Sequence, residues 1–278
     1  MANVFSLRRL ASSGLPLLVA LGALQVVVAG DTSPSISAAA RVHRLAQNVE
    51  RAESVRAVKR VQETYAQYSQ HGLWTDMSAL FADNAQLPYG KDNVQGRQAI
   101  QQYFLTTVGE GTHGLKPGGP HTQMVLRPLV NVSAGGQTAK GHWWEFSMTG
   151  QHGVKAEWTA GIFENEYVRE RGVWKISRMR YNPMFAGPYA TGWRNVDEDQ
   201  KIVPSHFTPD ETGIPVPDLP ASATAPVDPK MNPATALATI EQRILVMNEE
   251  DKVRNLHNAY GYYVDRNMKN HGYRLPAA

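Results

Sequence analysis

The stretch that decides the fold runs from residue 121 to residue 182. It divides into HTQMVLRPLVNV at His121–Val132, QTAKGHWWEFSMT at 137–149, VKAEWTAGIFENEYVR at 154–169 and VWKISRMRYN at 173–182. Gly135-Gly136, the glycines at 150 and 153, and Arg171-Gly172 lie between these runs. β-prone runs joined by short glycine-bearing turns predict antiparallel hairpins. Such a meander has one face to bury, and the segments upstream supply helices to cover it. Helices followed by a run of antiparallel strands make this an α+β chain, distinct from a parallel α/β one.

The cover begins at residues 51–71. Val55, Val58, Val61, Tyr65 and Tyr68 recur at spacings of three and four, the stripe of an amphipathic helix. Gly72 is a C-terminal stop. Residues 74–81 predict a second short helix with Met77, Leu80 and Phe81 on one face. Residues 85–88 predict a short strand, and Gly96 introduces a third helix over 97–107 carrying Ile100, Phe104 and Leu105. Residues 109–120 hold five glycines and two prolines. They lack the Gly-Lys-Ser/Thr ending of a phosphate loop and precede a strand, so they are expected to be a plain loop.

Outside this region the chain changes character. Arg8 and Arg9 precede an apolar run over 15–28, closed by Val27-Val28-Ala29. That is the grammar of a secretory signal cut after Ala29, and the run is short for a membrane span. Residues 1–29 are therefore expected to be a signal peptide, with membrane association only through an uncleaved signal, and the protein to be secreted or periplasmic. These residues carry two arginines and no acid, which leaves 26 basic against 25 acidic residues, a net of +1. Charge gives no case for a nucleic-acid partner. The chain has no cysteine, which excludes disulfides, thiolate zinc sites and cysteine nucleophiles. The nine histidines form no His-Glu-x-x-His or other close cluster, and no Gly-x-Ser-x-Gly elbow occurs, so neither a metal site nor an α/β-hydrolase is expected.

Residues 30–50 are expected to be a tether, 51–189 a folded domain, and 190–233 a proline-rich, semi-rigid linker. Residues 234–278 are expected to be a helical stub. An offset of 195 lays Val58 on Val253, Tyr65 on Tyr260 and Tyr68 on Tyr263, so the stub repeats the first helix.

The ordered set of features over 51–189 resembles the SnoaL-like family of the nuclear-transport-factor-2-like superfamily. The set comprises a long helix, a short Trp-containing helix ending in Leu80-Phe81-Ala82-Asp83, a helix opening at Gly96-Arg97, a histidine at the head of a long strand, and a closing Gly172-x-Trp174-Lys175-Ile176 strand. The C-terminal stub resembles the start of a truncated second copy. The resemblance implies a strongly curved antiparallel sheet wrapped around the long N-terminal helix, open at one end as an apolar pocket. It also implies chemistry without cofactors, as in lyases, isomerases and polyketide cyclases that move a proton next to a carbonyl. The superfamily includes non-catalytic members, so the alternative is a module that binds a hydrophobic small molecule or assembles with a second copy as a homodimer.

Proton transfer of this kind needs a base near the working pH and a donor to the developing oxyanion. His121, at the head of the first long strand, is the expected base, and Tyr65, on the helix stripe, the expected donor. His142 is a candidate partner. Tyr68, Trp144, Phe146 and Trp158 are expected to line the pocket, with His142, Trp144, Phe146 and Met148 alternating on its wall and Trp143 and Glu145 facing away. One departure stands out: relatives often carry an acid late in the first helix, where this chain has Gln70.

Overall fold

The structure is a computed structural model that describes residues 38–89, 92–192, 194–195, 203, 205–208 and 232–265. The expected signal peptide, most of the expected linker and residues 266–278 lie outside these. The described residues all fall in one compact unit. Among them, no helix is long and apolar enough to cross a membrane.

Helix α1 spans Ala38–His71. It ends where Gly72, at φ +65°, turns the chain. The Leu73 N–H bonds the Tyr68 carbonyl at 2.9 Å and the Gly72 N–H bonds that of Ser69 at 3.1 Å, a left-handed cap that only glycine forms without strain. A short helix α2, Trp74–Ser78, leads into strand β1, Phe81–Tyr89, and its hairpin partner β2, Asp92–Gln95. Helix α3, Arg97–Tyr103, continues as one π-helical turn to Val108. The meander follows: β3 His121–Val132, β4 Thr138–Gln151, β5 Lys155–Glu170, β6 Val173–Arg178 and β7 Tyr181–Pro188, with a two-residue β8, Arg194–Asn195, pairing β7.

The strands form one curved, unclosed sheet in the order β2-β1-β6-β5-β4-β3. It is antiparallel apart from β1, which lies parallel to β6. The fold class is therefore the expected α+β one. Its core joins α1 and the concave face of the sheet through Val58, Tyr65, Trp143, Phe163, Tyr167 and Ile176, all buried. Gln62, fully buried on α1, accepts hydrogen bonds from Tyr167 (2.8 Å) and Asn165 (2.9 Å), fixing the register of helix on sheet.

Three boundaries differ from the sequence reading. The first helix begins at Ala38, well before residue 51, so 38–50 are not tether. The extension is held from outside the domain: helix α4, Pro233–Asp265, packs Ile240 and Met247 against Ala46 and Val49. The predicted strand 173–182 is two strands, with a bend at Met179-Arg180. The Arg180 N–H donates to Asn165 Oδ1 (3.1 Å) and the Glu164 N–H to the Arg180 carbonyl (2.9 Å), so β6 and β7 pair different lengths of the same long β5. Part of the expected linker is also structured, as β8 and as residues 205–208 against β5.

Ion pairs Arg243–Glu53, Arg56–Asp251 and Arg60–Glu250 join α4 to α1 with separations of 190 to 195 residues. The near-constant separation means the two helices run parallel.

Candidate active site

The concave face of the sheet, α1, α2 and the α3–π turn enclose a cavity of about 240 Å³. Tyr65 and Ser69 enter from α1, Trp74 and Met77 from α2, and Tyr103, Phe104 and Val108 from α3 and its turn. The sheet contributes His121, Gln123, Glu145, Thr159, Phe163 and Tyr181. A second chamber of about 360 Å³ lies beside it under the glycine-rich loop, and Trp74, Val108 and His121 border both. That loop is pinned where the Gly114 N–H meets the Gly72 carbonyl at 2.9 Å, and where the His152 N–H meets the Gly118 carbonyl at 2.8 Å.

At the centre of the sheet wall is Glu145, 2% exposed. The Tyr181 hydroxyl donates to its Oε2 (2.7 Å), Gln123 Nε2 to its Oε1 (3.3 Å), and the Ser147 hydroxyl also to Oε1. Gly161, paired with Glu145 across β4 and β5, makes room for this arrangement. A Cβ there would sit 2.5 Å from the Tyr181 ring, so only glycine lets that tyrosine cross β5 to reach the carboxyl. Burial pushes the Glu145 carboxyl above its ordinary range, and the bonds from Tyr181 and Gln123 oppose that shift in part. Burial likewise raises the Tyr181 phenol, with the neighbouring Glu145 charge adding to it. His121, the first residue of β3, is shifted down by burial, so its neutral imidazole is favoured.

The cavity brings together His121 and Tyr65. Tyr65 is 9% exposed, and its ring meets Phe163 edge-on at 6.1 Å. Tyr68 packs against the core beside the cavity and does not line it. The expected phase of β4 is inverted. Trp143, Glu145 and Ser147 are buried on the concave face, while His142, Trp144, Phe146 and Met148 stand on the convex one. Hydrophobicity misleads here because the convex face is itself apolar and the concave face carries a polar network.

On the convex side, His142 Nδ1 meets Glu164 Oε1 at 2.5 Å and His206 Nδ1 meets Glu164 Oε2 at 3.0 Å. Phe207 stands edge-on to both imidazoles. Trp158 lies on this face too, against Phe146 and stacked on Tyr189 at 5.1 Å, bordering an open groove of about 780 Å³. Arg127 sits over Trp144 at 5.9 Å. His142, Trp144, Phe146 and Trp158 are therefore not cavity residues. On α1, Ser69 lines the cavity and Gln70 does not; the carboxyl in the cavity comes from β4. Gln123 and Tyr181 are cavity residues without an expectation from the sequence, and Glu145, expected to face away, faces the cavity. The one available signal was an acid inside an aromatic strand, Trp143-Trp144-Glu145-Phe146. Among the described residues, no group of three or more His, Asp or Glu side chains is placed to hold a metal ion.

Residues 50–180 match the family profile of the SnoaL-like domain. This segment is a SnoaL-like domain. A search of curated proteins found no match. Among solved structures, the SnoaL-like domain is similar to a scytalone dehydratase candidate from Novosphingobium aromaticivorans DSM 12444, at 14% identity and TM-score 0.45, over 55% of this chain and 98% of that one. A type 2 hexachlorocyclohexane dehydrochlorinase, LinA, aligns at 16% identity and TM-score 0.45 over 52% of this chain and 94% of its own. The LinA-type3 enzyme of Novosphingobium barchaimii LL02 aligns at 14% and 0.43, over 56% and 99%. Likenesses of this strength leave the chemistry of the site to its own residues.

Proposed function

We propose that the SnoaL-like domain holds a small, mostly apolar carbonyl compound in the inner cavity and moves a proton on it without a cofactor, as a lyase, isomerase or cyclase does. One observation carries the reading: a carboxyl raised by burial and an imidazole lowered by burial border the same aromatic cavity. Shifts in these directions bring an acid and a base toward the same pH range, where either can give or take a proton. His121, neutral, takes the proton. The Tyr65 hydroxyl is the donor to the oxyanion that develops, and Glu145 with Tyr181 is a second acid–base pair in place of the helix acid that Gln70 lacks.

A binding module without turnover is the rival. Its support is that three neutral donors already engage the Glu145 oxygens, which reduces the carboxylate's reach toward a ligand. Turnover and binding of a panel of aromatic ketones by wild type and His121→Ala separate the two. Loss of a general base lowers kcat by about 10²- to 10⁴-fold with binding retained. A wild type that binds the panel and turns none of it over leaves the binding module.

A further inference from the structure

We propose that the inner cavity selects organic cations over anions: a compact quaternary or protonated amine, its charge set against Glu145 and its substituents against the aromatic wall. The proposal goes beyond proton transfer and stands whether or not the ligand is turned over.

Among the described residues that line the cavity, none is Lys or Arg, and Glu145 is the acid. Its hydrogen-bond partners Tyr181, Gln123 and Ser147 are all neutral. A carboxylate buried without a counter-ion is costly, and a cation brought by the ligand removes that cost. An anionic ligand would add a second negative charge to the same low-dielectric space. The aromatic wall starts at the carboxyl. Tyr181, bonded to Glu145, touches Phe163 (4.9 Å between ring centres), Phe163 meets Tyr65 (6.1 Å), and Tyr65 meets Phe104 (6.5 Å). Rings gathered around a small cavity next to one acid are the arrangement that recognises ammonium groups through the negative faces of their π systems. The titratable groups around Glu145 are Tyr65 from α1, Tyr103 from α3, His121 from β3 and Tyr181 from β7. Of these, only His121 would bring positive charge, and only in acid, where it would also repel a cation.

The test compares three benzyl probes on the full chain: benzyltrimethylammonium, its uncharged isostere neopentylbenzene, and the smaller anion phenylacetate, with binding followed by tryptophan fluorescence or equilibrium dialysis. At pH 8 the cation is expected to bind at least tenfold more tightly than neopentylbenzene, and phenylacetate more weakly than either. The preference should shrink on acidification to pH 4, below the ordinary carboxyl value, as Glu145 takes up a proton. Glu145→Gln should bind the cation and its isostere alike, whereas Glu157→Gln, on the separate outer groove, should keep the preference at pH 8. Equal binding of cation and isostere by wild type, or a preference that survives Glu145→Gln, overturns the proposal. If Glu145→Gln does not fold, the three probes on wild type decide, and equal binding of cation and isostere at pH 8 overturns it.

Discussion

Glu145 and His121 occupy one cavity, and burial moves their protonation equilibria in opposite directions. The consequence for stability can be signed separately for each. His121 has a folded-state pKa below its ordinary 6.5, so the native state holds fewer protons than the unfolded chain just below that pH. Its contribution is complete above pH 6.5 and is lost as pH falls through the lowered value. Glu145, raised above 4.5, contributes fully below that pH and loses its contribution as pH rises through the raised value. Thermal melts of wild type and His121→Gln between pH 7.5 and 5 check the first: the drop in Tm on acidification should be smaller in the variant. Of the site, His121 and Tyr65 were legible because one heads a strand and the other lies on a helical stripe, and both positions have a fixed direction. Glu145 was not, because Trp143 and Trp144 put an indole on each face of β4, leaving the phase of the strand undetermined by hydrophobicity.

The elements themselves were largely legible. The α1 stripe, the glycine turns and the runs of β4 and β5 follow the 3.6- and 2-residue periods that burial imposes. The bend at Met179-Arg180 was not, since it depends on Asn165 from a neighbouring strand, a contact without local signal. The loop at 109–120 closely approaches the end of α1 at Gly72. A Cβ on Gly72 would lie 2.5 Å from the Gly114 carbonyl carbon, and Gly72 also needs its positive φ to close the α1 cap. Gly72→Ala should therefore cost at least about 1–2 kcal/mol from the left-handed backbone alone, before the displaced loop is counted. Gly135 has nothing within 4 Å of a built Cβ and no positive φ, so Gly135→Ala should be near neutral. Urea unfolding of the two variants side by side checks the contrast.

At the scale of the molecule, the helix that was expected to repeat α1 at an offset of 195 lies alongside it, with Arg56 and Asp251 separated by that same number. The two helices sit in unlike surroundings. Val58 is fully buried and Tyr65 is 9% exposed, while Val253 and Tyr260 are 68% and 57% exposed. What holds α4 is a small apolar contact of Ala46, Val49, Ile240 and Met247, together with Arg243 reaching Glu50 and Glu53. Partly exposed ion pairs contribute about 0–1 kcal/mol each and weaken with salt. The C-terminal helix is thus attached by side chains as well as by the peptide chain. With a protease site inserted near Ala225, a nicked protein should still elute from a sizing column as one species in dilute buffer. It should come apart into two in high salt, or once Arg243 is replaced by Ala, as in a split protein whose halves recognise each other weakly.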